Sequence, residues 1–259
     1  MRIFKRKLYE KLLDWKNNRS GRTAVLIEGA RRVGKSTLAR QFAQNEYESY
    51  VMIDFSIVKK DILELFDSIA DLDYFFLQLQ FRLGVSLKER KSLIIFDEVQ
   101  MCPKARQAIK HLVADGRYDY IETGSLISIR KNVKDIVIPS EEEKMILHPL
   151  DYEEFKWALG DTTTIAQMRM IFEKRLSMGD AVTRKLMRDF RLYMAVGGMP
   201  QAVCEYLETN NLMEVDRVKR GIIQLYEDDF YRIDQSGRIS MLFDAIPAQL
   251  SSNASRFQV

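Results

Sequence analysis

The sequence predicts an α/β protein with a doubly wound parallel sheet of about five strands, followed by an all-α domain. Three observations support this fold class. Short apolar runs alternate with helical stripes over residues 23–150, a glycine-containing segment separates the first such run from the next helix, and only helical periodicity follows residue 151. Strands that alternate with helices are joined by right-handed crossovers, which place helices on both faces of a parallel sheet.

The composition is that of a globular domain, with 46% hydrophobic and 30% charged residues in 259. These values exclude a disordered chain. No run approaches the about 18 apolar residues of a membrane helix, and no leader-like segment opens the chain. We therefore expect a cytoplasmic protein without membrane contact, in which Cys102 and Cys204 are reduced thiols.

The first 22 residues hold eight basic and two acidic residues, a net charge of +6, whereas the whole chain carries +3. Phe4, Leu8, Leu12 and Trp15 fall at helical spacing, which predicts a helix with one buried apolar side. We favour a solvated role for its basic side. The alternative is a contact with the phosphates of DNA or with a protein partner.

The remaining elements follow from the period of the apolar residues. Strands are expected at residues 23–27, 50–55, 92–96, 118–123 and 144–148. Helices are expected from residue 36, at 59–66, at 73–83 and around 108–113, and then at 151–159, 164–178, 182–196, 199–208, 212–231 and 240–250. The wholly apolar third strand is expected inside the sheet, and the aromatic-rich helix 73–83 is expected to be buried.

A phosphate-binding motif links the first strand to its helix. The segment Gly29, Ala30, Arg31, Arg32, Val33, Gly34, Lys35 and Ser36 matches G-x-x-x-x-G-K-[ST] at every position, and Thr37 follows it. In such a loop, backbone N–H groups and the helix dipole bind phosphate oxygens, the lysine reaches the β- and γ-phosphates, and the serine binds Mg²⁺. The motif predicts ATP and Mg²⁺ as ligands, with Lys35 at the surface of the loop.

Two acids follow the third strand. Asp97 is the candidate for the Mg²⁺ shell, and Glu98 is the candidate that activates water for attack on the γ-phosphate. Thr123, at the end of the next strand, is a candidate for hydrogen bonding to the γ-phosphate or to that water, as is Ser125. The carboxyl ends of parallel strands meet at one sheet edge, so these groups are expected to converge.

Four segments in order resemble one family: the phosphate loop, residues 95–100, residues 122–125, and residues 197–200. The sequence resembles prokaryotic AAA-type (AAA+) ATPases that continue into a winged-helix segment and an uncharacterised nuclease-like C-terminal domain. The resemblance implies that the helical domain is a lid in which Gly198 and Pro200 contact adenine, and it allows a homo-oligomer. It also implies that the C-terminal domain is missing, so we divide the chain into a basic helix (1–22), a nucleotide-binding domain (23–150), the lid (151–235) and the start of a winged-helix segment (236–259).

The sequence leaves the roles of several charged residues undecided. Arg106, Arg117 and Arg130 are candidates for an arginine finger, and Arg31 and Arg32 for contacts with phosphate or a partner. His111 and His148 lack the spacing of metal ligands. The acidic runs 141–143 and 227–229 are expected to be solvated faces, with a cation site as the alternative for the second run.

Three functions fit these motifs. The first is an ATPase that moves the lid against the sheet, the second a P-loop kinase for a small molecule, and the third an ATP-gated, non-hydrolysing switch that binds DNA or protein. The acid pair, the polar strand end and the helical tail favour the ATPase.

Overall fold

The computed structural model describes residues 2–125 and 140–251. Its five strands are β1 (Ala24–Gly29), β2 (Ser49–Asp54), β3 (Ser92–Asp97), β4 (Asp119–Ser125) and β5 (Glu142–Leu147). They form one sheet in the order β2-β3-β4-β1-β5, and all neighbouring strands are parallel. The predicted fold class is confirmed. β3 lies inside the sheet, as expected from its apolar sequence.

Helices cover both faces of this sheet. α1 (Lys7–Arg19) and α2 (Lys35–Glu46) pack on one face, and α3 (Lys60–Leu65), α4 (Leu72–Leu83) and α5 (Pro103–Asp115) pack on the other. Successive side chains of a strand point to opposite faces, so Val25 and Ile27 join the first core while Ala24 and Leu26 join the second. β1 is therefore apolar on both sides, which fixes the position of the loop that follows it.

The apolar side of α1 is buried as predicted, through Leu8, Leu12 and Trp15. Its basic side is not simply solvated, because several cations pair with acids of this chain. Lys7 lies 2.5 Å from Asp151, and Arg19 lies 3.1 Å from Glu143. The excess charge of the N-terminal segment is thus partly neutralised within the molecule.

The prediction for α4 is correct for one side of the helix only. Phe75, Phe76 and Leu79 are buried, but Leu77 and Phe81 are 64% and 82% exposed. An aromatic-rich sequence indicated burial without indicating which face would be covered.

Between β5 and residue 251, the regular elements are all helices. They are α6 (Tyr152–Ala158), α7 (Thr164–Glu173), α8 (Gly179–Val196), α9 (Pro200–Thr209), α10 (Leu212–Ile233), α11 (Arg238–Asp244) and α12 (Ile246–Ser251). The helix predicted at residues 240–250 is in fact two helices, since Pro247 has no N–H to continue a helical ladder. A small core joins Phe155, Val196 and Val203 to Phe4 of the N-terminal segment.

Both cysteines are free thiols, as expected. Across residues 2–125 and 140–251, no helix is long and apolar enough to cross a membrane.

Candidate functional site

The loop between β1 and α2 needs glycine at two positions. A Cβ on Gly29 would lie 2.3 Å from the carbonyl oxygen of Leu147 on β5, so any side chain would collide with the neighbouring strand. Gly34 has φ +99°, in the left-handed region that other residues rarely adopt. The two glycines of the motif are therefore set by strand packing and by backbone conformation. Arg32 is also left-handed, with φ +63°.

Lys35 is buried, with 5% of its surface exposed, so the expectation that it lies at the surface of the loop is wrong. Its ammonium group donates to the carbonyl oxygens of Gly29, at 3.2 Å, and Ala30, at 3.0 Å. Burial lowers the pKa of Lys35, while the nearby Glu98 and Asp97 raise it and Arg31 lowers it. The charge of the Lys35 ammonium therefore interacts directly with the charges of Asp97 and Glu98.

Strand order brings the predicted polar residues together. β4 lies between β1 and β3, so Thr123 sits between the phosphate loop and Asp97. The Thr123 hydroxyl donates to Asp97 Oδ1, and the Ser36 hydroxyl donates to the same oxygen at 2.7 Å. Asp97 and Thr123 are 5% and 0% exposed. The structure thus joins three residues that are far apart in the sequence.

Glu98 stands just outside this cluster with φ +53°, a left-handed conformation that is uncommon for residues with a side chain. Its N–H donates to the Thr123 hydroxyl at 3.4 Å. The Gln100 amide donates to Glu98 Oε2. Backbone outliers of this kind cluster at functional sites.

The cluster fits a Mg²⁺ ion. The Ser36 hydroxyl and the Asp97 carboxylate are both oxygen ligands and are hydrogen-bonded to each other, so their oxygens are close enough to face one ion. Within residues 2–125 and 140–251, no group of three or more His, Cys, Asp or Glu side chains is placed to hold a metal ion. Mg²⁺ commonly takes one or two protein oxygens and completes its shell with water and substrate phosphates, so the small donor set is suitable.

The helical region touches the phosphate loop through α10. Tyr226 donates to the carbonyl oxygen of Arg31 at 3.0 Å, and the Arg31 guanidinium lies 2.6 Å from Asp229. Arg31, a candidate for phosphate contact, is thus paired with an acid in this structure. The acidic run at residues 227–229 was expected to be solvated, but Asp229 engages the loop.

Gly198 and Pro200 occupy different surroundings. A Cβ on Gly198 would lie 2.1 Å from the carbonyl oxygen of Leu150, and the Leu150 N–H donates to the Gly198 carbonyl at 2.7 Å. Gly198 therefore allows a close backbone contact between the helical region and the segment that follows β5. Pro200 lines a crevice beside the loop, together with Phe4, Gly34 and Thr37.

Arg106 is not placed to act as an arginine finger. It is 3% exposed and makes two-pronged contacts of 3.1–3.2 Å with Glu142, so the expectation of a solvated run at residues 141–143 is also wrong. Arg117 is held by Asp115 and Asp73, and Arg130 lies outside the described residues.

Glu122 is a buried acid near the Arg106–Glu142 pair. Its burial raises its pKa well above the usual range, and the negative charge of the neighbouring Glu142 raises it further.

Three contacts at the site had no signal in the sequence. They are the hydrogen bond from Arg6 to the Val33 carbonyl oxygen, the contact of Arg31 with Asp229 of α10, and the Gln100–Glu98 hydrogen bond. Each joins side chains whose types are common on protein surfaces, so no local pattern marks them.

Comparisons with known proteins identify the family of the sheet domain. A family described as AAA domain matches residues 21–156, just over half of the chain, and a family described as a domain of unknown function matches residues 187–259. No curated protein matches the chain. The AAA match supports nucleotide binding by an AAA-type ATPase, whereas the winged-helix and nuclease-like segments and the domain boundaries stay predictions.

Two solved structures are among those similar to this chain. A Walker-type ATPase from Pyrococcus abyssi is 18% identical with a TM-score of 0.54, and the match covers 90% of this chain and 77% of that one. The Orc1 protein of Aeropyrum pernix, solved in complex with DNA, is 12% identical with a TM-score of 0.44, covering 97% and 74%. The first likeness shows a shared α/β fold with a helical region after the sheet.

Proposed function

Because the chain belongs to the AAA domain family, we propose that it binds ATP with Mg²⁺ at residues 29–37 and hydrolyses it, and that hydrolysis moves the helical region against the sheet. The observation that carries this proposal is the hydrogen-bonded group of Ser36, Asp97 and Thr123 beside a glycine-bounded loop. It supplies a hydroxyl and a carboxylate at the point where a helix N-terminus favours phosphate.

Each residue has a separate task in this proposal. Lys35 releases the Gly29 and Ala30 carbonyl oxygens and turns its ammonium group to the β- and γ-phosphates. Ser36 and Asp97 would hold Mg²⁺, and the ion would supply positive charge to neutralise the phosphate oxygens. Glu98 accepts a proton from the attacking water, and Thr123 fixes Asp97 and the Glu98 backbone at a constant separation.

The helical region responds to the nucleotide through α10. In the structure Asp229 pairs with Arg31, whose backbone carbonyl also accepts from Tyr226. A triphosphate in the loop competes with Asp229 for the Arg31 guanidinium, because both are anions within reach of one cation. We infer that nucleotide binding weakens the contact between α10 and Arg31 and that product release restores this contact.

Phosphate release tests this function. Purified wild-type protein is titrated with ATP in the presence of Mg²⁺, and nucleotide binding and free phosphate are both followed. The ATPase predicts saturable binding, and phosphate release that stops when Mg²⁺ is chelated and needs no added acceptor. Release that requires a small-molecule acceptor would point to a kinase, and binding without release would point to a non-hydrolysing switch.

One observation favours a second function, ATP-gated binding to nucleic acid. α8 exposes Arg184, Lys185, Arg188 and Arg191, and in the described part of the chain these four side chains form no ion pair. In the N-terminal segment, by contrast, four of the eight cations form ion pairs with acids of this chain, namely Arg6, Lys7, Lys16 and Arg19. Unpaired cations along one helix are the usual means of binding a phosphate backbone.

Binding of labelled DNA at several salt concentrations tests this function. We expect affinity that falls steeply with salt, and a loss of at least about tenfold when Arg184 and Arg188 are both changed to Glu. Changing Lys11 and Arg22 of the N-terminal segment to Glu gives the matched control. Equal loss in both double variants would remove α8 as the binding surface, and no binding at low salt would remove nucleic acid as the partner.

A further inference from the structure

Arg6 lies at the junction of the phosphate loop, the end of β5 and the helical region. It is 5% exposed although it comes from the strongly basic N-terminal segment. Its Nη1 donates to the carbonyl oxygen of Val33 at 3.0 Å, and its Nη2 donates to the carbonyl oxygen of His148. Its Nε lies 3.3 Å from the Glu154 carboxylate in α6, as an ion pair. One guanidinium thus touches three separate segments.

The contact with Val33 has a direct consequence for the loop. A trans peptide is planar, and its C=O and N–H point in opposite directions. The Val33–Gly34 peptide is trans, and Arg6 holds its carbonyl oxygen on one side, so the Gly34 N–H is directed to the other side. Gly34, with φ +99°, has unusual freedom to rotate this peptide, because it lacks a side chain. An anchor on the carbonyl oxygen removes that freedom.

The anchor is itself held firmly. Glu154, which pairs with Arg6, also accepts from the Lys7 N–H at 2.6 Å and completes a capping box with Asp151 at the start of α6. Phe4, two residues before Arg6, is buried in the core of the helical region, and Leu8, two residues after it, is buried in the core against the sheet. The short segment between these two cores has little room to move, so the Arg6 guanidinium is fixed from both ends.

We propose that Arg6 is a positioning residue for the phosphate loop: it holds the Val33–Gly34 peptide so that the Gly34 N–H is available to a nucleotide phosphate. This inference rests on the proposed function, since it assigns to Arg6 a part in the same ATP site. The guanidinium does not touch the nucleotide. Its effect passes through one peptide group of the chain.

The test compares nucleotide affinity with thermal stability in four variants. Arg6→Gln removes the charge and the fork of donors, and Arg6→Lys keeps the charge but offers a compact ammonium in place of the fork. Leu8→Ala is the matched control, because it weakens the packing of the same segment and leaves Arg6 intact. Affinity for Mg-ADP is measured well below the melting temperature of each variant, and Arg22→Gln controls for the loss of a cation.

We expect Arg6→Gln to lower the affinity for Mg-ADP at least tenfold, Arg6→Lys to be intermediate, and Leu8→Ala to lose stability while keeping its affinity within twofold. If Arg6→Gln does not fold, the comparison of Arg6→Lys with Leu8→Ala decides the question. Affinity that follows the loss of stability equally in Arg6 and Leu8 variants would overturn the inference. Failure of the wild type to bind any nucleotide would instead overturn the proposed function.

Discussion

The sheet domain and the helical region differ in how completely they bury their apolar residues. β3 is buried along its whole length, whereas α7, α11 and α12 contain no buried residue. Close packing on both faces holds the sheet and the residues at its edge in one arrangement. The helical region relies instead on a small core and on particular contacts with the sheet domain. Under the proposed function, this difference places ATP hydrolysis at the edge of the sheet and movement in the helical region.

Specific polar contacts join the two regions. They include the Arg6–Glu154 and Lys7–Asp151 ion pairs, the Arg31–Asp229 ion pair, the Tyr226 hydrogen bond, and the close approach of Gly198 to Leu150. If the comparison is correct, changes at the sheet edge alter affinity or turnover with little effect on stability. Changes at these contacts alter the stability of the protein or the coupling between the nucleotide and the helical region.

The largest effect is expected for Glu98→Gln. The amide cannot accept the proton of the attacking water, so ATP turnover should fall by about 10²–10⁴-fold while ATP affinity stays close to that of the wild type. Steady-state phosphate release and a binding titration measure the two quantities. Glu89→Gln, an exposed residue on the same domain, is the control. Undiminished turnover in Glu98→Gln would remove that residue from the chemistry.

Lys35→Met should weaken ATP binding by about 10–100-fold, the size of one hydrogen bond to a charged group. Methionine keeps the apolar length of the side chain in its buried position, and burial already disfavours the charged ammonium, so the melting temperature should change little. Titration with ATP and thermal unfolding check the two parts. Wild-type affinity in this variant would contradict the assigned role.

Gly198→Ala should destabilise the protein by about 1–3 kcal/mol, because the new Cβ would lie 2.1 Å from the Leu150 carbonyl oxygen. Gly221→Ala is a matched change inside α10, where a Cβ meets no atom within 4 Å, and should stabilise by about 0.5–1 kcal/mol. Denaturant unfolding measures both. The same sign in the two variants would show that the junction tolerates a side chain.

Glu122→Gln should make stability less dependent on pH. Burial raises the pKa of Glu122 above the value in the unfolded chain, so the folded state binds its proton more tightly. This contribution is fully present below about pH 4.5 and is lost as pH rises through the folded pKa. We expect the variant to match the wild type near pH 4.5 and to melt a few degrees higher at pH 8, with Glu173→Gln as the exposed control. Parallel pH profiles would show that Glu122 ionises normally.

The smallest effect is expected at the Arg31–Asp229 pair, whose side chains are 39% and 26% exposed. A double-mutant cycle of Arg31→Gln and Asp229→Asn should give a coupling energy of about 0.2–1 kcal/mol without nucleotide, since solvent screens the pair. With Mg-ATP bound the coupling should disappear, because Arg31 turns to phosphate. Equal coupling in both states would exclude this pair as the link between nucleotide and helical region.

The fold class and the residues at the sheet edge were predictable because their signals are local. A phosphate loop is eight consecutive residues, and strands and helices differ in the period of their apolar residues. The burial of Lys35 was not predictable, since it depends on carbonyl oxygens that turn inward only in the folded loop. The Arg31–Asp229 contact spans 198 residues, and the pairing of Arg106 with Glu142 depends on which helix covers which strand.

The most direct test of the account is a crystal structure of the chain with Mg²⁺ and a non-hydrolysable ATP analogue. The account predicts the phosphates inside residues 29–36, Mg²⁺ bound by Ser36 and close to Asp97, and the Lys35 ammonium moved from the loop carbonyl oxygens to the phosphates. A nucleotide bound elsewhere, or a loop still closed by Lys35 when the nucleotide is present, would contradict it.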